Sequence, residues 1–81
     1  MNNITLKQLR YFESLARQRH FGRAAADCSI SQPALSMQIK ELEELLGSPL
    51  LEKSVRPLRL TAFGEQFSSQ SSEILRAVKN L

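Results

Sequence analysis

The sequence has no tryptophan, one cysteine and one histidine. A single cysteine excludes an internal disulfide and fits a reduced, cytoplasmic setting. With Cys28 and His20 as the only residues of their kinds, a metal centre built on cysteine or histidine pairs has no support. Glycine and proline occur three times each, too rarely for a low-complexity or linker-rich chain. No apolar run approaches the roughly 18 residues that a membrane span needs. The N-terminal MNNITLKQLRYF lacks the apolar stretch and small-residue cleavage site of a secretory signal. No Ser/His/Asp set, glycine-rich phosphate loop or paired-acid cluster is visible. The chain is therefore not expected to be an enzyme, and no cofactor is expected.

What is present is one small domain of 81 residues, 42% hydrophobic, with a net charge of +3. Such a chain buries a modest core. The positive balance suits a polyanionic partner without requiring one. The placement of the charges says more than their sum.

Thr5 followed by Gln8 reads as a capping box. It opens a first helix to about Arg19, with Leu6, Leu9, Phe12 and Ala16 at core spacing. A second helix spans residues 21–28, and its run Ala24, Ala25, Ala26 allows close approach of a neighbour. Ser29 and Ser31 flank Ile30 in a tight turn, with Ile30 plugging the corner from beneath. Cys28 packs as a small hydrophobe, and His20 serves helix entry. Ser31 caps a third helix with Pro33 in its first turn. That helix runs to about Leu46, with Gly47 beyond its end and Pro49 blocking continuation. Two helices joined by a tight polar turn, here over residues 21–40, are the sequence form of a helix-turn-helix.

At about 100° per residue, Leu35, Ile39, Leu42 and Leu46 fall within about 60° of one another and form a core stripe. Gln32, Pro33, Ser36, Met37 and Lys40 fall on the other side, and none is acidic. Glu41, Glu43 and Glu44 sit in the second half, against the preference of the helix dipole. A helix whose first half approaches phosphates has this pattern. Gln32 can pair with adenine N6 and N7, and Ser36 reaches several base edges. Met37 and Pro33 offer apolar contact to a thymine methyl.

Residues 50–52 and 58–60 read as short extended arms, with Lys53 and Arg56 in the loop between them. They form a small β-hairpin, a wing spanning 50–60. Arg56, beside Pro57, is placed to enter a minor groove, where narrow A·T tracts concentrate negative potential. Arg23, Ser31, Lys53 and Arg59 are candidate phosphate contacts. Thr61 can cap a last helix reaching Leu81. Its apolar stripe of Phe67, Ile74 and Leu81, widened by Phe63, Leu75 and Val78, continues in phase across the serine-rich residues 68–72. The stripe is expected to be uncovered in one copy and covered by a second, with Phe67, Ile74, Val78 and Leu81 as dimer residues.

These pieces together resemble the DNA-binding domain of a LysR-type transcriptional regulator. The resemblance is carried by Leu9-Arg10-Tyr11-Phe12, Phe21-Gly22-Arg23-Ala24-Ala25, Ser31-Gln32-Pro33-Ala34-Leu35-Ser36, Gln38-Ile39, Leu42-Glu43 and Leu46-Gly47. Leu50-Leu51-Glu52, Leu60-Thr61 and Gly64 extend it. Within that family, Arg19-His20-Phe21, Cys28 and residues 74–79 are similar to the peroxide-sensing OxyR group. The resemblance implies a mainly α fold: a winged helix-turn-helix over 1–61, then a dimerising linker helix over 62–81. It implies sequence-specific binding of double-stranded DNA by a homodimer, which pairs as tetramers in longer proteins, with Gln32, Pro33, Ser36, Met37 and Arg56 facing DNA. Members often carry arginine where this chain has Met37, so base preference there is expected to differ. The family's effector-binding domain follows the linker helix and is absent from this chain, which is expected to be an excised or truncated DNA-binding part. The peroxide sensors keep their reactive cysteines in that absent part. A protein-interaction module on the same scaffold, without DNA binding, is the alternative, and a redox role for Cys28 a weaker one.

Overall fold

The computed structural model describes residues 3–53 and 56–81. It consists of four helices: α1 (Leu6–Gln18), α2 (Phe21–Asp27), α3 (Gln32–Leu46) and α4 (Ala62–Lys79). Each begins where a side chain satisfies a free backbone N–H. Thr5 and Gln8 form the reciprocal capping box on α1, with bonds of 3.0 and 3.1 Å. Ser31 accepts from the Ala34 N–H at 3.2 Å, and Thr61 from the Gly64 N–H at 2.9 Å. His20 caps α2 through Nδ1, which accepts from the Arg23 N–H at 3.0 Å. The ends are equally local. Arg19 closes α1 in the left-handed region at φ 53°, and Gly47 closes α3 at φ 75°.

The helices enclose one core. Phe12, Leu15, Leu35, Leu42 and Leu50 are fully buried, with Leu9, Ala24, Ala25, Ile39 and Leu60 around them. α1 lies at its centre and packs against α2, α3 and α4. The alanines of α2 let α1 and α3 come close, and Ile30 packs against the core from the turn. Two expectations for apolar positions need correction. Leu6 is 40% exposed, whereas Gln8 is buried with its side chain engaged in the cap. Phe67 does not sit on an uncovered face. It is half-buried against the core, its ring 5.7 Å from that of Phe12 and 6.2 Å from that of Phe63. α4 thus folds back along α1. Its serine-rich stretch is helical, and fully buried Ser71 donates its hydroxyl to the Phe67 carbonyl at 2.9 Å.

The expected hairpin is reduced to a pair of crossing segments. Leu51 and Leu60 form one isolated antiparallel bridge, and the Glu52 N–H donates to the Arg59 carbonyl at 2.9 Å. No strand forms among the described residues, and the loop positions Ser54 and Val55 lie outside them. The physical reason is visible in α3. The Glu43 carboxylate accepts from the Leu50 and Leu51 N–H groups at 2.7 and 3.3 Å. The Leu50 N–H, which would otherwise face Thr61, is thus engaged by a side chain, and Pro49 before it has no N–H, so the ladder stops at that end.

The outer side of α1 and the end of α2 are tied by polar contacts. Ser14 donates to Asp27 at 2.7 Å, and Arg17 reaches both Glu13 and Asp27, at 3.2 and 3.1 Å. The Ser14 hydroxyl, and then Arg17, hold the Asp27 carboxyl below its usual value. A depressed carboxyl stabilises the fold above its unfolded value of about 4, and that contribution is lost as pH falls through the lower folded value. Asp27→Asn is therefore expected to flatten the acid limb of stability. Thermal unfolding between about pH 2 and 5 reads this directly; an acid limb identical to wild type would contradict it.

Candidate nucleic-acid interface

α3 divides cleanly into a buried and an open side. Leu35, Ile39 and Leu42 are buried, whereas Gln32, Pro33, Ser36, Met37 and Lys40 are all exposed, Met37 by 65%. The division follows from the 3.6-residue period of the apolar positions. Pro33 sets the first turn without wasting a donor, and Ser31, itself exposed, holds that turn by its cap. Among the described residues, no hydrogen bond engages the Gln32 carboxamide or the Ser36 hydroxyl. Both are available to an outside partner.

The other cations singled out in the sequence are all exposed. Arg23 is exposed on α2; Lys53, Arg56 and Arg59 are exposed in the segment after α3, with exposed Pro57 beside Arg56. A cleft of about 570 Å³ opens beside Gln32. Arg19, His20 and Gly22 line one wall, Gln32 the start of α3, and Arg56 and Pro57 the other wall. The structure thus brings Gln32, Arg56 and Pro57 to one cleft. Ile74, 45% exposed, and Leu81 stand open at the far end of α4, with Val78 half-buried near them.

Three features of this region escape a reading of the sequence. Arg19 lines the cleft but is occupied: it donates to the Ala16 carbonyl at 2.7 Å and pairs with Glu65 at 3.4 Å. Glu43 has a structural task at the foot of the following segment, so the macrodipole argument for the acids applies to Glu41 and Glu44 rather than to all three. Gly22 lies beside Gln32, with the Gln32 Oε1 atom 3.7 Å from where a Cβ would stand. Only the Glu65 contact of Arg19 is long-range; the others connect residues ten or fewer positions apart but have no periodicity to announce them.

A short helix, a tight turn and a capped second helix with its first half uncovered define a helix-turn-helix protein. Residues 6–65 match the family described as bacterial regulatory helix-turn-helix protein, lysR family, and the chain belongs to that family. It is 51% identical over 76 residues to the HTH-type transcriptional regulator YnfL of Escherichia coli K12, covering 94% of this chain and 26% of that protein. It is 44% identical over 78 residues to the DNA-binding transcriptional dual regulator OxyR of the same strain, covering 96% of this chain and 26% of that one. The chain spans about a quarter of the length of these two curated relatives. The likeness to OxyR is real but shared with other regulators, YnfL among them, at higher identity. Among solved structures, the BenM DNA-binding domain in complex with catB site 1 DNA superposes with a TM-score of 0.92 at 39% identity, covering 95% of this chain and 86% of that one. These relatives are transcriptional regulators. No helix among the described residues is long and apolar enough to cross a membrane.

Proposed function

We propose that this chain is the sequence-specific double-stranded-DNA-binding part of a LysR-family transcription regulator and has no enzymatic role. The observation that carries the reading is the open first half of α3: Gln32, Pro33, Ser36, Met37 and Lys40 are uncovered, and none is acidic. The close likeness to a BenM domain in complex with DNA supports it. In this reading α3 enters the major groove. Gln32 and Ser36 contact base edges, Pro33 and Met37 contact apolar atoms, and Lys40 lies in the same groove. Residues 50–60 act as the wing, with Arg56 and Pro57 at a minor groove. Arg23, Ser31, Lys53 and Arg59 meet phosphates.

Residues 1–61 form the DNA-binding unit and 62–81 the linker helix. Two copies pair through Ile74, Val78 and Leu81, with Phe67 contributing from its half-buried position, and so present two α3 helices to a dyad-symmetric site.

Gln32→Ala or Ser36→Ala is expected to weaken binding to a preferred duplex by about 1–3 kcal/mol and to relax preference at the contacted base pair. Titration of the preferred duplex against its single-base variants checks this; an equal loss on every sequence contradicts base reading. Arg56→Ala is expected to weaken binding most on sites with A·T-rich flanks and to shallow the salt dependence by roughly one phosphate's worth. Fluorescence anisotropy across a salt series measures both effects. A salt slope near zero in the unmodified chain would instead favour a protein-interaction module.

A further inference from the structure

Gly22 sits in α2, and among the described glycines only Gly47 has a left-handed backbone. Conformation therefore does not call for glycine at position 22. Within a helix, glycine is about 1 kcal/mol worse than alanine. What it supplies here is space. A Cβ at this position would lie 3.0 Å from His20 Cε1, 3.4 Å from His20 Nδ1 and 3.7 Å from Gln32 Oε1. The imidazole that caps α2 and the carboxamide that opens α3 thus border the same empty position. The His20 ring is held in place because Nδ1 accepts from the Arg23 N–H. The exposed Gln32 carboxamide has no hydrogen bond among the described residues, so a side-chain contact can bias where it points.

We propose that Gly22, with the His20 ring seated against it, determines base specificity by positioning the Gln32 carboxamide. The inference rests on the reading that Gln32 contacts a base. Bidentate pairing with adenine requires both amide atoms to align with N6 and N7. A methyl group at position 22 makes the His20 ring give by a few tenths of an ångström, and it adds a van der Waals contact to Gln32 Oε1 at 3.7 Å, which restricts the orientations open to the carboxamide. The consequence is a change of preference at one base pair, not a general loss of affinity.

The test begins with the duplex that the full chain selects from a random pool. Wild type, Gly22→Ala, Gln32→Ala and the double variant are then titrated against that duplex and each of its single-base variants at fixed salt. Gly22→Ala is expected to lower discrimination at the Gln32 base pair by about three- to tenfold and to leave the other positions and the salt slope unchanged. In the Gln32→Ala background it is expected to add nothing. His20→Asn, which keeps a good capping residue while removing the ring, is expected to shift the same base pair. It carries the test if Gly22→Ala fails to fold. Undiminished discrimination in the folded Gly22→Ala chain, or in His20→Asn where it stands in, overturns the proposal. So does a loss that is equal at every base pair. Gln32→Ala without effect on discrimination overturns the base-reading role and this inference with it. A Gln32→Ala effect beside a silent Gly22→Ala overturns this inference alone.

Discussion

Phe12→Ala is expected to lower the stability of the domain by about 3–5 kcal/mol. Phe12 is fully buried on the helix that touches all three others, and its ring meets that of Phe67 on α4. Truncation removes the transfer energy of the side chain and leaves a void between α1 and α4. The Phe67 ring, itself stacked against Phe63, resists collapse into such a void. A domain of this size has a total stability of about 4–12 kcal/mol. The variant should therefore melt some tens of degrees lower, at roughly 4–8 °C per kcal/mol. Thermal unfolding followed by circular dichroism measures it. A drop of only a few degrees would mean that α4 does not pack on α1 as described.

Gly64→Ala is expected to be the most damaging one-methyl substitution, at about 2 kcal/mol net. Gly64 is buried in the first turn of α4, where a Cβ would collide with the Leu50 carbonyl oxygen and stand 3.2 Å from Leu60 Cβ. The colliding atom is backbone and cannot swing aside. That carbonyl also accepts from the Thr61 N–H at 3.0 Å, and the Thr61 side chain caps the same turn. Relief therefore requires the start of α4 to move away from residues 50–60 as a unit. Overpacking of this kind costs about 1–3 kcal/mol and occasionally more, against a gain of about 1 kcal/mol in helix propensity. Gly64→Val, with more bulk and a smaller propensity gain, should lose more. Denaturant unfolding of the two variants gives the order; Gly64→Ala as stable as wild type would contradict the close approach of α4 to Leu50.

The helices were legible because their signals are local. Thr5 with Gln8, Ser31 before Pro33, Thr61 and Gly47 each act within four residues of themselves, and each cap stands where its spacing places it. The two-sided character of α3 was legible for the same reason. Phe67 was misread because helical phase tells which residues share a face, not what covers that face. A packed α1 and an uncovered stripe give the same periodicity. The short arms around the wing were overread. Alternation and turn residues do not reveal that Glu43 takes the Leu50 and Leu51 donors. Gly22 carried no signal of its own, since its significance depends on the angle at which α2 meets α3.

The central claim is best tested by locating the contact surface at single-residue resolution. Backbone amide shifts of the labelled chain would be followed as the selected duplex is titrated in. The largest changes are expected over residues 31–40, with smaller ones at Arg23 and Arg56 and little at Glu13 and Arg17 on the opposite side of α1. Shifts concentrated on α1 with residues 31–40 unmoved would contradict it.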